Sequence, residues 1–223
     1  MKYRHEWKQE ISYSDLLTLR MRLKAVMRAD SHSIDNRYLI RSLYFDTPND
    51  KALREKTDGV NQREKFRLRY YNNDTAFIVL EKKSKMNGLC SKDSVPITEK
   101  NAQQIVNGDI AFLAESWQPL YRELYVKMLS QQLHPKTIVD YTREPFVYPV
   151  GNVRVTIDYD IRTGDFRTDF LNPTTLTLPT GNSPIVLEVK WDEFLPDFIK
   201  SAVTLPARRA GSFSKYEQSR CYG

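Results

Sequence analysis

The sequence is short of the residues that many chemistries need. It has two cysteines in 223 residues, Cys90 and Cys221, far apart and without C-x-x-C spacing. That argues against a disulfide scaffold and points to free thiols in a reducing compartment, hence to a cytoplasmic protein. The three histidines, His5, His32 and His134, lack metal-ligand spacing, which argues against a structural zinc site. No apolar run exceeds five residues, Ala76–Leu80, against roughly 20 needed to cross a bilayer as a helix. The charged opening MKYRHEWKQE has no apolar core of a secretion signal. Neither G-x-x-x-x-G-K-[ST] nor G-x-G-x-x-G occurs, so P-loop and Rossmann chemistry lack their phosphate cradle. H-E-x-x-H and G-x-S-x-G are also missing. Ser212-Phe213-Ser214-Lys215 matches the S-x-x-K of penicillin-binding enzymes, but no S-D-N or K-T-G accompanies it, so the match is chance. There is no RNP signature, zinc finger or basic zipper, and no nucleic-acid partner is expected.

What is present is an ordinary globular composition, 40% hydrophobic and 28% charged, which excludes a disordered or fibrous chain. Residues 1–223 are long enough for a single domain with a sizeable core. The net charge of +6 is uneven. Residues 51–92 hold eleven Lys and Arg against five Asp and Glu, and the remainder balances at 23 of each. One segment is therefore built for an anion: nucleic acid, anionic lipid or a phosphorylated small molecule on charge alone.

Periodicity predicts a β-rich chain with helices interspersed. Strands are expected at 3–11, 38–46, 63–71, 75–85, 88–97, 137–148, 152–162 and 184–192, with Asn72-Asn73-Asp74 turning a hairpin. Helices are expected from a Ser12-x-x-Asp15 capping box to Arg28, at about 98–107, after Pro119, after Pro196 and after Gly211. Thr47-Pro48-Asn49-Asp50 predicts another short helix with Pro at its first position.

The strands carry charge on one face. Lys65, Arg67 and Arg69 alternate with Phe66, Leu68 and Tyr70; Arg154, Thr156, Asp158, Asp160 and Arg162 alternate with Val153, Val155, Ile157, Tyr159 and Ile161; Glu188, Lys190 and Asp192 alternate with Leu187, Val189 and Trp191. Such alternation fits a one-sided sheet with its polar face in water. It fits equally a barrel with a polar interior and helices on its apolar outside. Glu6 and Glu188 each stand two residues from a lysine, Lys8 and Lys190, an interleaving that a metal–phosphate site and a neutral exposed strand share.

Eight segments occur in an order that resembles one family: R-H-E-W-K (4–8), L-Y-F-D-T-P (43–48), K-A-L-R-E-K (51–56), F-R-L-R-Y-Y (66–71), L-E-K-K-S-K (80–85), Y-T-R-E-P-F (141–146), L-E-V-K-W-D (187–192) and S-F-S-K-Y (212–216). Together they resemble the VTC-domain polyphosphate polymerases, within the triphosphate tunnel metalloenzymes and their CYTH relatives. The resemblance covers essentially the whole chain. It implies an α+β fold, a closed antiparallel β-barrel tunnel with a charged interior and helices packed outside. It implies a transferase that moves the γ-phosphoryl group of ATP to inorganic polyphosphate, with Mn²⁺ or Mg²⁺ as cofactor.

By motif position, Lys8, Arg67, Arg69, Lys83, Arg143 and Lys215 would be the catalytic cations. Those six with Arg54, Lys92 and Ser214 would bind phosphate, and Glu188 with Glu6 would hold the metal. Lys82 and Lys85 would be solvated charges or guides at the mouth, and Asp158 and Asp160 would balance tunnel charge. The CYTH relatives carry E-x-E-x-K on the first strand, where this chain has Arg4 before Glu6, and paired acids late in the sheet, where Lys190 follows Glu188. Fewer carboxylates imply one principal metal and weaken the case for hydrolysis. The eukaryotic members add a phosphate-sensing domain and membrane helices, so a stand-alone form is expected here. A tunnel triphosphatase and a non-catalytic polyphosphate or nucleotide binder are the alternative readings. A membrane-protein partner for polymer export and the oligomeric state stay open.

Overall fold

A computed structural model describes residues 4–87, 89–206 and 210–221. The chain alternates strands and helices: β1 (His5–Ile11), α1 (Tyr13–Val26), β2 (Arg28–Ala29), β3 (Tyr38–Asp46), α2 (Lys51–Thr57), β4 (Arg63–Tyr71), β5 (Asp74–Met86), β6 (Leu89–Ile97), α3 (Glu99–Val106), α4 (Ala111–Glu115), α5 (Pro119–Ser130), β7 (His134–Tyr148), β8 (Val153–Thr163), β9 (Leu178–Pro179), β10 (Ile185–Trp191), α6 (Asp197–Val203) and α7 (Lys215–Cys221). Among these residues no helix is long and apolar enough to cross a membrane.

The strands form one curled antiparallel sheet in the order β1-β10-β8-β7-β3-β4-β5-β6, with β2 on β7 and β9 on β8. The expected α+β fold is found, and the expected closed barrel is corrected to a curled sheet that does not close along its edges. Among the described residues the two edges of the sheet meet at a single bridge, Arg4 just ahead of β1 with Cys90 of β6, rather than along a ladder. Beyond that bridge β1 turns to the C-terminal segment, where the Gly211 amide donates to the Lys8 carbonyl at 2.9 Å.

The apolar side of the sheet carries the helices in two cores. One packs Phe45, Phe66, Leu68, Tyr70, Ile78 and Leu80 beneath Ile105, Leu113, Leu120 and Leu124 of α3, α4 and α5. The other packs Val155, Ile157, Leu187 and Val189 against Leu16, Leu19 and Leu23 of α1 and Ile199 and Val203 of α6. Helix α1 starts where expected: the Ser12 hydroxyl accepts from the Asp15 amide at 3.2 Å, and the Asp15 carboxylate accepts from the Ser12 amide at 2.9 Å. Asn72 and Asn73 both take positive φ (53° and 57°), the conformation of a tight hairpin turn, so β4 and β5 pair with their charged residues in register.

Three elements depart from expectation. The short helix α4, with Leu113 buried, was not foreseen. On β8, Asp160 adopts positive φ (50°) where the register with β7 slips, and the bulge turns its side chain into solvent. It thus breaks the alternation after Asp158 and cannot balance charge on the inner face. The Thr47-Pro48 start of α2 also moves: the helix begins at Lys51, and Pro48 lies ahead of it. Its cap is Asp46, the last residue of β3, which is fully buried. The Asp46 carboxylate accepts from the Ala52 amide at 2.8 Å, the Leu53 amide at 3.2 Å and the Tyr216 hydroxyl of α7 at 2.6 Å.

One carboxylate thus ties β3, α2 and α7 together. Asp46→Ala strands three amides, of Thr47, Ala52 and Leu53, and a buried hydroxyl, and an expected loss of about 3 kcal/mol in unfolding free energy follows. Urea denaturation measures it; a change below about 1 kcal/mol would show that the tie contributes little.

Candidate functional site

The concave side of the sheet encloses a cavity of about 770 Å³. Its wall contains ten of the eleven residues singled out in the sequence: Glu6, Lys8, Arg67, Arg69, Lys83, Lys92, Arg143, Glu188, Ser214 and Lys215. Arg54 is the exception. It is exposed on the outer side of α2 and lines a separate surface cleft with Lys51 and Gln131. Two residues on, a helix has turned by about 200°, and it is Lys56 that reaches the cavity wall, held by Glu217 at 3.0 Å and the Ser212 hydroxyl at 3.1 Å. Lys65, Arg154 and Lys190 also line the cavity; their alternation with apolar neighbours was the signal that could have placed them there. Lys85 lines it too, whereas Lys82 lies on the opposite face, over the Phe66 ring and paired with Glu123 of α5.

Among the described residues the wall holds fourteen Lys and Arg against Glu6, Glu64 and Glu188. Such a density stands because buried carboxylates are interleaved with the cations. Glu81 accepts from Arg67 at 2.6 Å and Lys92 at 2.9 Å, with Arg69 at 3.7 Å. Asp158 takes a two-pronged contact from Arg143, 2.7 Å at each oxygen, and Lys215 at 2.5 Å. Glu188 lies 2.8 Å from Lys190, 3.3 Å from Arg143 and 3.6 Å from Lys8. Glu6 bonds Lys83 at 2.9 Å and sits 3.2 Å from Lys8. Tyrosines complete the scaffold: Arg67 donates to the Tyr44 hydroxyl at 2.8 Å, and Arg69 to the Tyr141 hydroxyl at 2.9 Å and the Ser42 hydroxyl at 3.1 Å.

These pairs set the protonation states. Burial alone would raise the Glu188 carboxyl, but Lys190, Lys8 and Arg143 outweigh it and hold the group well below the usual carboxylate range. Burial likewise opposes ionisation of Glu81, and Arg67 and Arg69 overcome it. Asp158 falls to about 2 because Arg143 and Lys215 prevail over desolvation. Burial works against the Lys8 ammonium too, yet Glu188 and Glu6 raise its pKa.

Lys65 differs. Its ammonium meets the Ser214 hydroxyl at 3.1 Å and the Tyr216 ring at 5.1 Å. Burial drives it down to about 8, with Tyr44 only partly compensating. The Tyr44 phenol, for which burial is outweighed by Arg67 and Arg69, drops to about 8 as well.

No group of three His, Cys, Asp or Glu side chains among the described residues is gathered around one point. The wall does fit a hard divalent ion that keeps water and shares phosphate oxygens, since such ions need only one or two carboxylates from the protein. Glu188 and Glu6 supply these on adjacent strands, and the buried Thr156 hydroxyl beside Glu188 has no hydrogen-bond partner among the described residues.

The model of the VTC domain family matches residues 3–222. Among solved structures, a candidate adenylate cyclase from Bacillus halodurans is 13% identical, with a TM-score of 0.51, over 85% of this chain and 80% of that one. A protein from Pyrococcus horikoshii OT3 is 14% identical, with a TM-score of 0.44, over 90% and 84%. The Mimivirus capping enzyme triphosphatase is 11% identical, with a TM-score of 0.44, over 88% and 85%. No functionally curated protein matches the sequence.

A lysine depressed to about 8 is charged at pH 7 and neutral at pH 9, so its pull on an anion fades across that interval, while a bound anion would raise its pKa again. Tripolyphosphate affinity should therefore fall more steeply from pH 7 to 9 in the unsubstituted protein than in Lys65→Met, with proton uptake on binding at pH 8.5. Calorimetry in two buffers of different ionisation heat reads both; parallel pH profiles for the two proteins would show that Lys65 keeps its charge throughout.

Proposed function

The chain belongs to the VTC domain family, and from that premise we propose that it is a cytoplasmic, metal-dependent polyphosphate polymerase acting on ATP and inorganic polyphosphate. The observation that carries this reading is the wall of fourteen cations around a cavity of about 770 Å³. A nucleoside triphosphate carries about four charges, and such a wall has cations to spare for a second, longer phosphate chain. In this reading the cavity is the interior of a tunnel whose seam is covered by the 210–215 segment.

The transfer breaks the bond from the γ-phosphorus to the β–γ bridging oxygen and forms one to a terminal oxygen of the polyphosphate chain. ADP leaves with the bridging oxygen. A terminal phosphate oxygen is already deprotonated near neutral pH, so the step needs no protein nucleophile and no strong base; placement and charge stabilisation supply the catalysis. Arg67 and Arg69 from β4, Arg143 from β7 and Lys215 from α7 converge from different elements, and each is fixed by a carboxylate or a hydroxyl. Donors fixed before substrate arrives need no reorganisation as charge develops. Lys8 and Lys83 extend the grip along β1 and β5, with Lys92 and Ser214 as further phosphate contacts. A divalent cation, Mn²⁺ or Mg²⁺, held by Glu188 and Glu6 would neutralise phosphate charge when bound.

Purified protein incubated with ATP and Mn²⁺ should yield long polyphosphate, and Glu188→Ala should reduce the yield at least about a hundredfold. Free phosphate without polymer would replace the proposal with a tunnel triphosphatase. Tight polyphosphate binding with neither product would leave a non-catalytic binder.

A further inference from the structure

On the inner face of β1, β10 and β8 the charged residues form rungs. Glu6 pairs in register with Lys190, which pairs with Arg154; one rung deeper, Lys8 pairs with Glu188, which pairs with Thr156. Thr156 is the neutral position in this pattern. It is 3% exposed, lines the cavity, and its hydroxyl has no hydrogen-bond partner among the described residues. Its neighbour on the other side is Pro145 of β7, which offers no polar side chain. A buried hydroxyl left without a partner is destabilising, and a native wall keeps one where a ligand completes it.

We propose that the Thr156 hydroxyl oxygen is a ligand of the divalent cation, completing with Glu188 and Glu6 a three-oxygen set on adjacent strands. The inference rests on the metal-dependent reading of this cavity and adds to it a residue that the motif match does not include.

Charge decides for a cation over a phosphate at this position. A phosphate oxygen set between Thr156 and Glu188 would meet the Glu188 carboxylate at close range and compete with it for Lys190, Arg143 and Lys8, whereas a cation satisfies both oxygens together. Directly opposed residues in an antiparallel pair have Cβ atoms about 4.5–5.5 Å apart, a gap that one ion with oxygen ligands at about 2.1 Å spans. A neutral oxygen also suits a wall in which Lys190 and Lys8 already lean on Glu188. It adds a ligand without adding an acid that would recruit another ammonium. Lys190, Arg143 and Lys8 stand at 2.8, 3.3 and 3.6 Å from Glu188, so a cation bound there would require the two ammonium groups to turn from Glu188 toward incoming phosphate.

The test is Mn²⁺ binding to the full chain without turnover, read by calorimetry and by the electron paramagnetic resonance of free Mn²⁺. Tripolyphosphate binding in EDTA serves as the second measurement. Thr156→Val keeps the shape and removes the hydroxyl; it should weaken Mn²⁺ binding about tenfold, leave tripolyphosphate binding within about twofold, and be rescued by Thr156→Ser. Unchanged Mn²⁺ affinity in Thr156→Val would overturn the assignment, as would a loss confined to tripolyphosphate binding, which would make the hydroxyl a phosphate donor. Glu188→Gln separates the two layers of the argument. If it abolishes Mn²⁺ binding while Thr156→Val does not alter it, the metal reading stands and the Thr156 assignment fails. If the unsubstituted protein binds no Mn²⁺, both fall.

Discussion

Four carboxylates make the rest of this structure possible. Eight of the cations that face the cavity touch Glu6, Glu81, Asp158 or Glu188, and three of these acids are almost completely buried. Two like charges 4 Å apart repel by about 4 kcal/mol at the effective dielectric of a protein surface, so an inner wall of lysine and arginine alone would splay the strands apart. Each acid sits between cations from different elements: Glu81 joins β4 to β6, Glu188 joins β1, β7 and β10, and Asp158 joins β7 to α7. The same contacts fix the guanidinium groups in place, since a two-pronged Arg–carboxylate contact defines a plane as well as a distance. Stability and preorganisation therefore have one source. A wall built this way is hard to change one residue at a time, because removing one partner of a buried pair leaves the other unanswered.

The two faces of the sheet impose opposite demands that the topology reconciles. The outer face is made dry by α1 and α6 on one side and by α3, α4 and α5 on the other, so curvature carries the inner face away from these helices. Closure is not achieved by hydrogen bonding alone, since among the described residues the two edges of the sheet share one bridge. Charge crosses the seam instead, through Lys83 of β5 and Glu6 of β1, and the C-terminal segment lies along it, where Lys8 reaches the Phe213 carbonyl at 3.3 Å. Asp46 fixes that segment's far end by holding Tyr216 while it caps α2. Lys215, one residue from Tyr216, is in this way delivered to Asp158 by an interaction that belongs to the fold rather than to the cavity.

Strand faces were legible in the sequence because period-two alternation is a local property, and Arg67, Arg69, Lys83 and Glu188 fall where it puts them. Three kinds of feature were not. Asp160 needed knowledge of a partner strand, since a bulge is a mismatch between two strands and neither one shows it alone. Arg54 and Lys56 differ by less than one helical turn, so a motif that contains both cannot say which faces inward until the axis of α2 is set, and Asp46 sets it through amides six and seven residues away in sequence. Asp158, expected to balance charge, pairs with Arg143 and Lys215, whereas Glu81 had no expected role, and only tertiary pairing with Arg67, Arg69 and Lys92 sets it at the centre of the cation network.

The paired and unpaired cations of the cavity differ in what they can offer a phosphate chain. Arg67, Arg143 and Lys215 already have carboxylate oxygens at 2.5–2.7 Å, so a phosphate gains from them only by sharing or displacing a partner. Their contribution is orientation, settled before the ligand arrives. Lys65 has no such answer: it meets a hydroxyl and a ring, and Arg63 on the same strand face donates to the Val60 carbonyl. Net attraction must come chiefly from positions of this second kind, where a phosphate relieves desolvation that the fold leaves uncompensated. With a phosphate chain bound, the wall would divide its labour along β4, with Arg69 and Arg67 held by their partners at depth and Lys65 and Arg63 drawing the anion in. A chain of phosphates spanning both kinds of position would be gripped where the cations are unanswered and aligned where they are fixed.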